Sequence, residues 1–271
     1  MVGRTFHGAS LCALVVWMGC GKFESSPYAT THPDLPHDVN AMNLARLAAR
    51  EPFDDDTIKI LFTGDSQRFY EEQEAIVQKA NSLAGVDIFI LAGDIVDFGL
   101  GQEYLWVYER LSELQMPWLA VVGNHDLLAN GSILYQTMFG PLDFAFNYKG
   151  YRFIFHDTNG REYGNTGAAP RLPWMHGQMQ DASAEHIIAV SHVPPQSVDF
   201  DPALVQPYMD LLGSDPRTIL SLHGHNGSYN DANLNEDHVR YIVCNAMVNP
   251  EFLLLKIHHG VVEAQVMNYL Q

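Results

Sequence analysis

Five short apolar runs in this chain each stop at a loop that carries Asp, Asn or His. Residues 58–62 lead into Gly64-Asp65-Ser66-Gln67, and residues 87–92 into Gly93-Asp94-Ile95-Val96-Asp97. Residues 118–122 lead into Gly123-Asn124-His125-Asp126. Residues 187–190 end at Ser191-His192-Val193-Pro194, and 218–222 at His223-Gly224-His225-Asn226-Gly227. Each run has the length and apolar continuity of a buried strand. Between them, apolar residues at helical spacing (Ala75, Ile76, Ala80, Leu83) predict a helix over 71–83, and another follows over 103–114. Residues 241–267 read as three further strands. Strands alternating with helices predict an α/β fold with a largely parallel first half.

In open α/β sheets, ligands bind beyond the carboxyl ends of the strands. The spacing therefore brings Asp65, Asp94, Asn124, His192 and His225 to one edge. An Asp after a strand is ordinarily a helix cap, and an isolated His is ordinarily a satisfied polar group. Five strand ends of this kind, most beside a Gly, favour a metal centre. Oxygen and imidazole donors without thiolate suit Mn, Fe, Zn or Ni.

Charge narrows the function. The 271 residues hold 32 acids against 15 bases, a net charge of −17. That field repels phosphate, which argues against a nucleic-acid partner and against adsorption to an anionic membrane. A small phosphorylated substrate would need a local positive centre, such as a metal.

The N-terminus carries a different signal. Arg4, the apolar run 11–18 and Gly19-Cys20 have the layout of a secretory signal. The small residue before Cys20 resembles a bacterial lipoprotein site, although Trp17 and Met18 stand where smaller or aliphatic residues are usual. This predicts a chain held on the bacterial cell envelope by lipid at Cys20. With Cys12 in the signal and Cys20 lipidated, only Cys244 remains, so no disulfide framework is possible. Cys244 follows an apolar run and reads as a buried, inert thiol. Residues 21–56 read as a tether with a short helix near 41–50 and an acidic loop at 54–56. The main domain is placed at 57–271.

The five strand-end motifs resemble those of the calcineurin-like metallophosphoesterase superfamily: Asp-x-His, Gly-Asp-x-x-Asp, Gly-Asn-His-Asp/Glu, a lone His, and Gly-His-x-His. Order and spacing both fit over residues 57–267, and the start resembles envelope lipoprotein members. The resemblance implies two mixed β-sheets packed face to face and flanked by helices, a four-layer α/β/β/α sandwich. It implies two divalent metal ions and hydrolysis of a phosphomonoester or phosphodiester by metal-bound hydroxide. Asp94 would bridge the metals. Asp65 and Gln67 would serve the first, and Asn124, His192 and His225 the second. His125 would act at the substrate phosphoryl, with Asp126 orienting it.

Two positions depart from the pattern. Gln67 stands where the motif has His, and Gly227 where it has the last His. Both losses fall on the first metal. Asn226, His223 or a water is a candidate to fill that place, and His223-Gly224-His225 is itself a His-x-His. The first site is therefore expected to be weak or empty and the activity low. The alternative is a degenerate member that binds a metal or a phosphorylated ligand without turnover. Among the remaining loops, 156–163 with Arg161 and Tyr163 is a candidate wall of the cleft. Residues 199–202 read as a rim that caps a helix from Pro202, with no metal role. His258-His259 reads as a turn.

Overall fold

A computed structural model describes residues 26, 28–50 and 56–271. The signal and lipidation readings at Arg4, Cys12 and Cys20, and most of the acidic loop, lie outside the described residues. No helix among the described residues is long and apolar enough to cross a membrane.

The first sheet takes strands β1 (Thr57–Thr63), β2 (Ile88–Leu91) and β3 (Trp118–Ala120), then two late strands, β10 (Glu251–His258) and β11 (Val261–Asn268). Its order is β11-β10-β1-β2-β3, with β1, β2 and β3 parallel and β10 and β11 antiparallel. The second sheet takes β4 (Phe144–Tyr148), β5 (Tyr151–Phe155), β6 (His186–Val190), β7 (Thr218–His223), β8 (Asn230–Ala232) and β9 (Arg240–Val243). Its order is β4-β5-β6-β7-β9-β8, parallel through β5, β6, β7 and β9 with antiparallel edges. Both sheets are mixed, as expected.

Strand periodicity explains the layers. Side chains alternate between faces, so each buried strand feeds two cores. Ile58, Ile60 and Phe62 of β1 meet Phe153, Phe155, Ile188, Val190, Leu220 and Leu222 between the sheets. The opposite face of the first sheet, with Leu61, Phe89, Leu91 and Trp118, packs under helices α2 (Tyr70–Ser82), α3 (Gly101–Leu111) and α4 (Gly131–Phe139). The outer face of the second, with Ile154, Ile187, Ala189 and Tyr241, packs under α5 (Leu172–Met179) and α6 (Val205–Gly213). Strands apolar on both faces give near-continuous apolar runs, which is why these strands stand out in the sequence.

Helix α1 (Val39–Ala49) solves an edge problem. β3 is the last strand of its sheet, and an open edge leaves backbone groups unpaired. Asn40 takes the place of a neighbouring strand. Its Nδ2 donates to the Ala120 carbonyl at 3.0 Å, and its Oδ1 accepts the Ala120 N–H at 3.0 Å. Asn43 Oδ1 accepts the Trp118 N–H at 3.2 Å. Leu35 and Val39 are buried against the helical side of the first sheet, and Leu47 between the sheets. The packed body thus reaches N-terminally of residue 57.

Asn40→Ala strands the buried Ala120 N–H, while the Ala120 carbonyl keeps the Tyr135 hydroxyl. The expected cost is about 1–3 kcal/mol, read as a lower midpoint in denaturant with metal uptake unchanged.

Candidate metal centre

The carboxyl ends of β1, β2, β3, β6 and β7 meet at one edge, where the two sheets are stitched together. Gly64 bridges Ala246 in parallel register, and the Met247 N–H donates to the Gly64 carbonyl at 3.1 Å. Space here is tight. A side chain at Gly123 would overlap the Asp94 nitrogen and carboxylate, so only glycine lets the β3 loop close over the β2 loop. Asp65, Asp94 and His225 adopt φ of 51°, 49° and 71°, the left-handed region that non-glycine residues avoid. Such strain collects where a fold must aim functional groups.

Asp94, His192 and His225 form a group of potential metal ligands whose donor atoms lie within 4.8 Å of one another. His192 Nε2 is 3.2 Å from Asp94 Oδ1 and 3.2 Å from Asn124 Oδ1. His225 Nδ1 is 3.0 Å from Asn124 Oδ1 and 3.3 Å from His192 Nε2. Asp65 joins through Oδ2, which accepts the His225 N–H at 3.1 Å. Gln67 is tied in by its backbone. Its N–H donates to the Asp94 carbonyl at 3.2 Å, and its own carbonyl accepts Gln73 Nε2 at 3.2 Å.

The donor set fits a cation. His192 Nδ1 contacts the Ala92 carbonyl, and His225 Nε2 contacts the Asp199 carboxylate. Both of those oxygens accept, so those nitrogens carry the protons. The opposite nitrogens are then lone pairs aimed at each other and at two oxygens. Something positive has to stand among them. In the bare protein a proton serves. Burial works against charge on His192, but Asp94 and Asp65 outweigh it and raise its pKa to about 10. The other groups respond to the same crowd. Burial, with Asp94 nearby, lifts Asp65 to about 6 and Asp126 to about 7. Burial also opposes charge on Asp94, yet His192 and His125 hold it below the usual carboxylate range. His225 is pushed down by burial and by His192.

Some expected contacts differ. Asp126 does not orient the His125 ring. Its carboxylate accepts the N–H groups of Ile95 (2.9 Å), Val96 (3.1 Å) and Gly123 (2.7 Å), clamping two loops together. The ring is oriented by Asp97, whose carbonyl lies 2.7 Å from His125 Nδ1. His125 Nε2 remains on the open side, 4.0 Å from Asp94 Oδ2. His223 cannot supply the missing ligand. It is fully buried, with Nδ1 2.9 Å from Ser191 Oγ and Nε2 2.8 Å from Ser221 Oγ. Gly227 has φ 69° and offers only its carbonyl, which accepts Ala246 N–H and Asn249 Nδ2.

Asp199, set aside in the sequence, lies against His225, with Oδ2 3.1 Å from Nε2. Nor does its segment cap a helix from Pro202. α6 starts at Val205, and Asp201 accepts the N–H groups of Ala203 and Gly167. No local pattern marks Asp199, because the contact joins two loops 26 residues apart. In the 156–163 loop, His156 is buried against Tyr208 at 3.1 Å, and burial lowers its pKa to about 4.

The family model for calcineurin-like phosphoesterases matches residues 58–247. The chain is 24% identical over 157 residues to a probable glycerophosphodiester phosphodiesterase, GpdQ, of Arcobacter nitrofigilis, covering 51% of this chain and 56% of that protein. It is 38% identical over 58 residues to a probable cyclic nucleotide phosphodiesterase of Moraxella catarrhalis, 21% of each. The matched stretches thus span from a fifth to just over half of these relatives' own lengths. Among solved structures, a dimetal phosphatase from Danio rerio has the same fold, with a TM-score of 0.62 at 12% identity over 78% of this chain and 99% of that one.

The raised values fix a pH dependence. Folded His192 keeps its proton from the ordinary 6.5 up to about 10, and Asp126 and Asp65 keep theirs from 3.8 up to about 7 and 6. Buried His156, His223 and His225 pull the other way, holding fewer protons than the unfolded chain below about pH 7. Above that, His192 keeps a proton that the unfolded chain has lost, so metal-free stability falls as pH rises towards about 10. The Tm of the metal-free protein is expected to be lower at about pH 9 than at about pH 7.5. Added zinc is expected to raise Tm more at the higher pH, where protons compete less. Equal zinc shifts at both pH values would rule out competition at one centre.

Proposed function

This chain belongs to the calcineurin-like phosphoesterase family, and from that premise we propose that it hydrolyses a small phosphodiester or phosphomonoester with divalent metal bound at Asp94. The observation that carries this reading is the convergence of the Asp94, Asn124, His192 and His225 donors on one point that needs positive charge. These four would hold the second cation. Asp65, Gln67 and Asp94 would hold the first. Divalent ions at these positions would neutralise phosphoryl oxygens and lower the pKa of the attacking water.

The chain's own residues divide the remaining work. Asn124 contributes a neutral oxygen, which limits the negative charge facing an anionic substrate. Asp97 fixes the His125 ring through Nδ1–H, which leaves Nε2 turned to the open side. Protonated at both nitrogens, His125 can donate from Nε2 to the leaving oxygen. Asp126 acts further back, holding the loops that carry Asp94 and Asn124. A net charge of −17 favours small substrates over nucleic acid. The relatives named as phosphodiesterases favour a diester. The lipid anchor at Cys20 is proposed on the sequence alone.

A second reading has its own observation. Gly227 brings no side chain to the first cation, so one metal without turnover is the alternative state. The test is metal content together with turnover of p-nitrophenyl phosphate and bis-p-nitrophenyl phosphate across added Mn, Zn, Ni and Mg. Two metals with turnover of the diester support the enzyme. In that case His125→Ala is expected to lower kcat by about 10²- to 10⁴-fold with metal content unchanged. One metal and no turnover, with activity gained by Gln67→His plus Gly227→His, supports the alternative. A Cβ at Gly227 would have room, with Ala246 Cβ its nearest neighbour at 3.9 Å.

A further inference from the structure

We propose that Asp199 is the positioning residue for His225 and that Arg161 holds Asp199 in that place; this rests on the metal reading of Asp94, His192 and His225. His225 stands in a loop beyond the end of β7, with most of its side chain covered. Its two ring nitrogens face opposite ways. Nδ1 looks into the centre, 3.0 Å from Asn124 Oδ1, and Nε2 meets Asp199 Oδ2 at 3.1 Å. A carboxylate only accepts, so Nε2 carries the hydrogen and Nδ1 keeps a lone pair for the cation. An outer carboxylate that fixes a ligand histidine in this manner sets both its tautomer and its angle.

Asp199 is itself held from several sides. Arg161 Nη1 donates to Asp199 Oδ1 at 2.7 Å, and the Arg161 N–H donates to the Asp199 carbonyl at 3.3 Å. The Asp199 N–H donates to Ser197 Oγ at 3.2 Å. Next along the chain, Phe200 is buried in the core under α5 and α6. The Gly167 N–H donates to Asp201 Oδ2 at 2.8 Å. Gly160 lies so close to Asp201 that a Cβ there would stand 2.8 Å from the Asp201 nitrogen. The loop after β5 and the loop after β6 are therefore locked to one another, and together they deliver one carboxylate to His225. The Arg161 side chain is 65% exposed, and an ion pair this open adds little stability. Its effect is geometric.

The experiment uses the full chain, freed of metal. Zinc affinity is read by competition with a chromophoric chelator, and the His225 tautomer by ¹⁵N-histidine spectra. Wild-type His225 is expected as the Nε2–H tautomer. Asp199→Ala is expected to mix the tautomers and weaken the first zinc equivalent by about 10- to 100-fold. Asp199→Glu is expected to recover part of that loss, and Arg161→Ala to shift affinity the same way by less. Asp199→Ala binding zinc as wild type does, even with a lowered Tm, would overturn the positioning role and leave the metal centre standing. Wild-type protein that takes up no zinc would overturn the metal reading and this inference with it.

Discussion

The carboxylate of Asp94 is the charge around which the functional edge is built. It is buried and held ionised against the cost of burial by the imidazoles beside it. Its Oδ1 accepts the His125 N–H at 2.9 Å and faces His192 Nε2, so one oxygen ties β2 to the β3 loop and to the end of β6. Gly123 has no side chain because the Asp94 backbone and carboxylate occupy the volume it would fill. Asp126, one shell out, spends both oxygens on N–H groups of those loops. Remove the charge of Asp94 and the imidazoles lose the group that keeps one of them protonated. An unpaired buried charge is costly, so ligands and counter-charge stand or fall together.

A proton and a cation are alternative answers to the same electrostatic problem. Two carboxylates and three further donors crowd an edge that water hardly reaches. The protein without metal answers by holding a proton on His192 far above its ordinary range. That proton lies among Asp94, Asn124 and His225, the place a ligated ion would take. The fold is thus not indifferent to loading. Its stability and any affinity for metal would be coupled through the same few groups.

Much of this was legible in the sequence because strands buried on both faces are long apolar runs and their ends are abrupt. That gave the alternation of strands and helices, the five loops, and the residues that meet there. Two kinds of feature were not legible. The first is contact between loops: Asp199 meets His225 from a loop that Arg161, Gly160 and Gly167 tie to its neighbour. The second is the direction of a side chain within a motif. Asp126 follows His125 in sequence, yet its carboxylate points to backbone N–H groups, and the neighbour that orients the ring is a carbonyl at Asp97. Asn40 belongs to the same class. An Asn in a helix reads as a polar surface residue, and here it replaces a strand.

The two departures from the family pattern fall where the fold can absorb them. Position 67 serves the structure through its backbone, with its N–H on the Asp94 carbonyl and its own carbonyl on Gln73. A side-chain change there leaves those bonds intact. Position 227 is held by a carbonyl that takes Ala246 and Asn249, at φ 69°. Glycine is more at ease there than any L residue, histidine included. A histidine at 227 would therefore carry a backbone strain that a bound metal would have to offset. On the proposed reading, in which the first cation is weakly held, glycine at 227 would relieve that strain. The residues proposed for the second cation have no such freedom. His192 is fully buried against the Ala92 carbonyl, and His225 is fixed from both ring nitrogens. Loss of His192 would leave a buried Asp94 without its counter-charge, and loss of His225 would break the contacts with Asn124 and Asp199. On that reading, an asymmetry between the two sites would follow from which of these residues also hold the edge together.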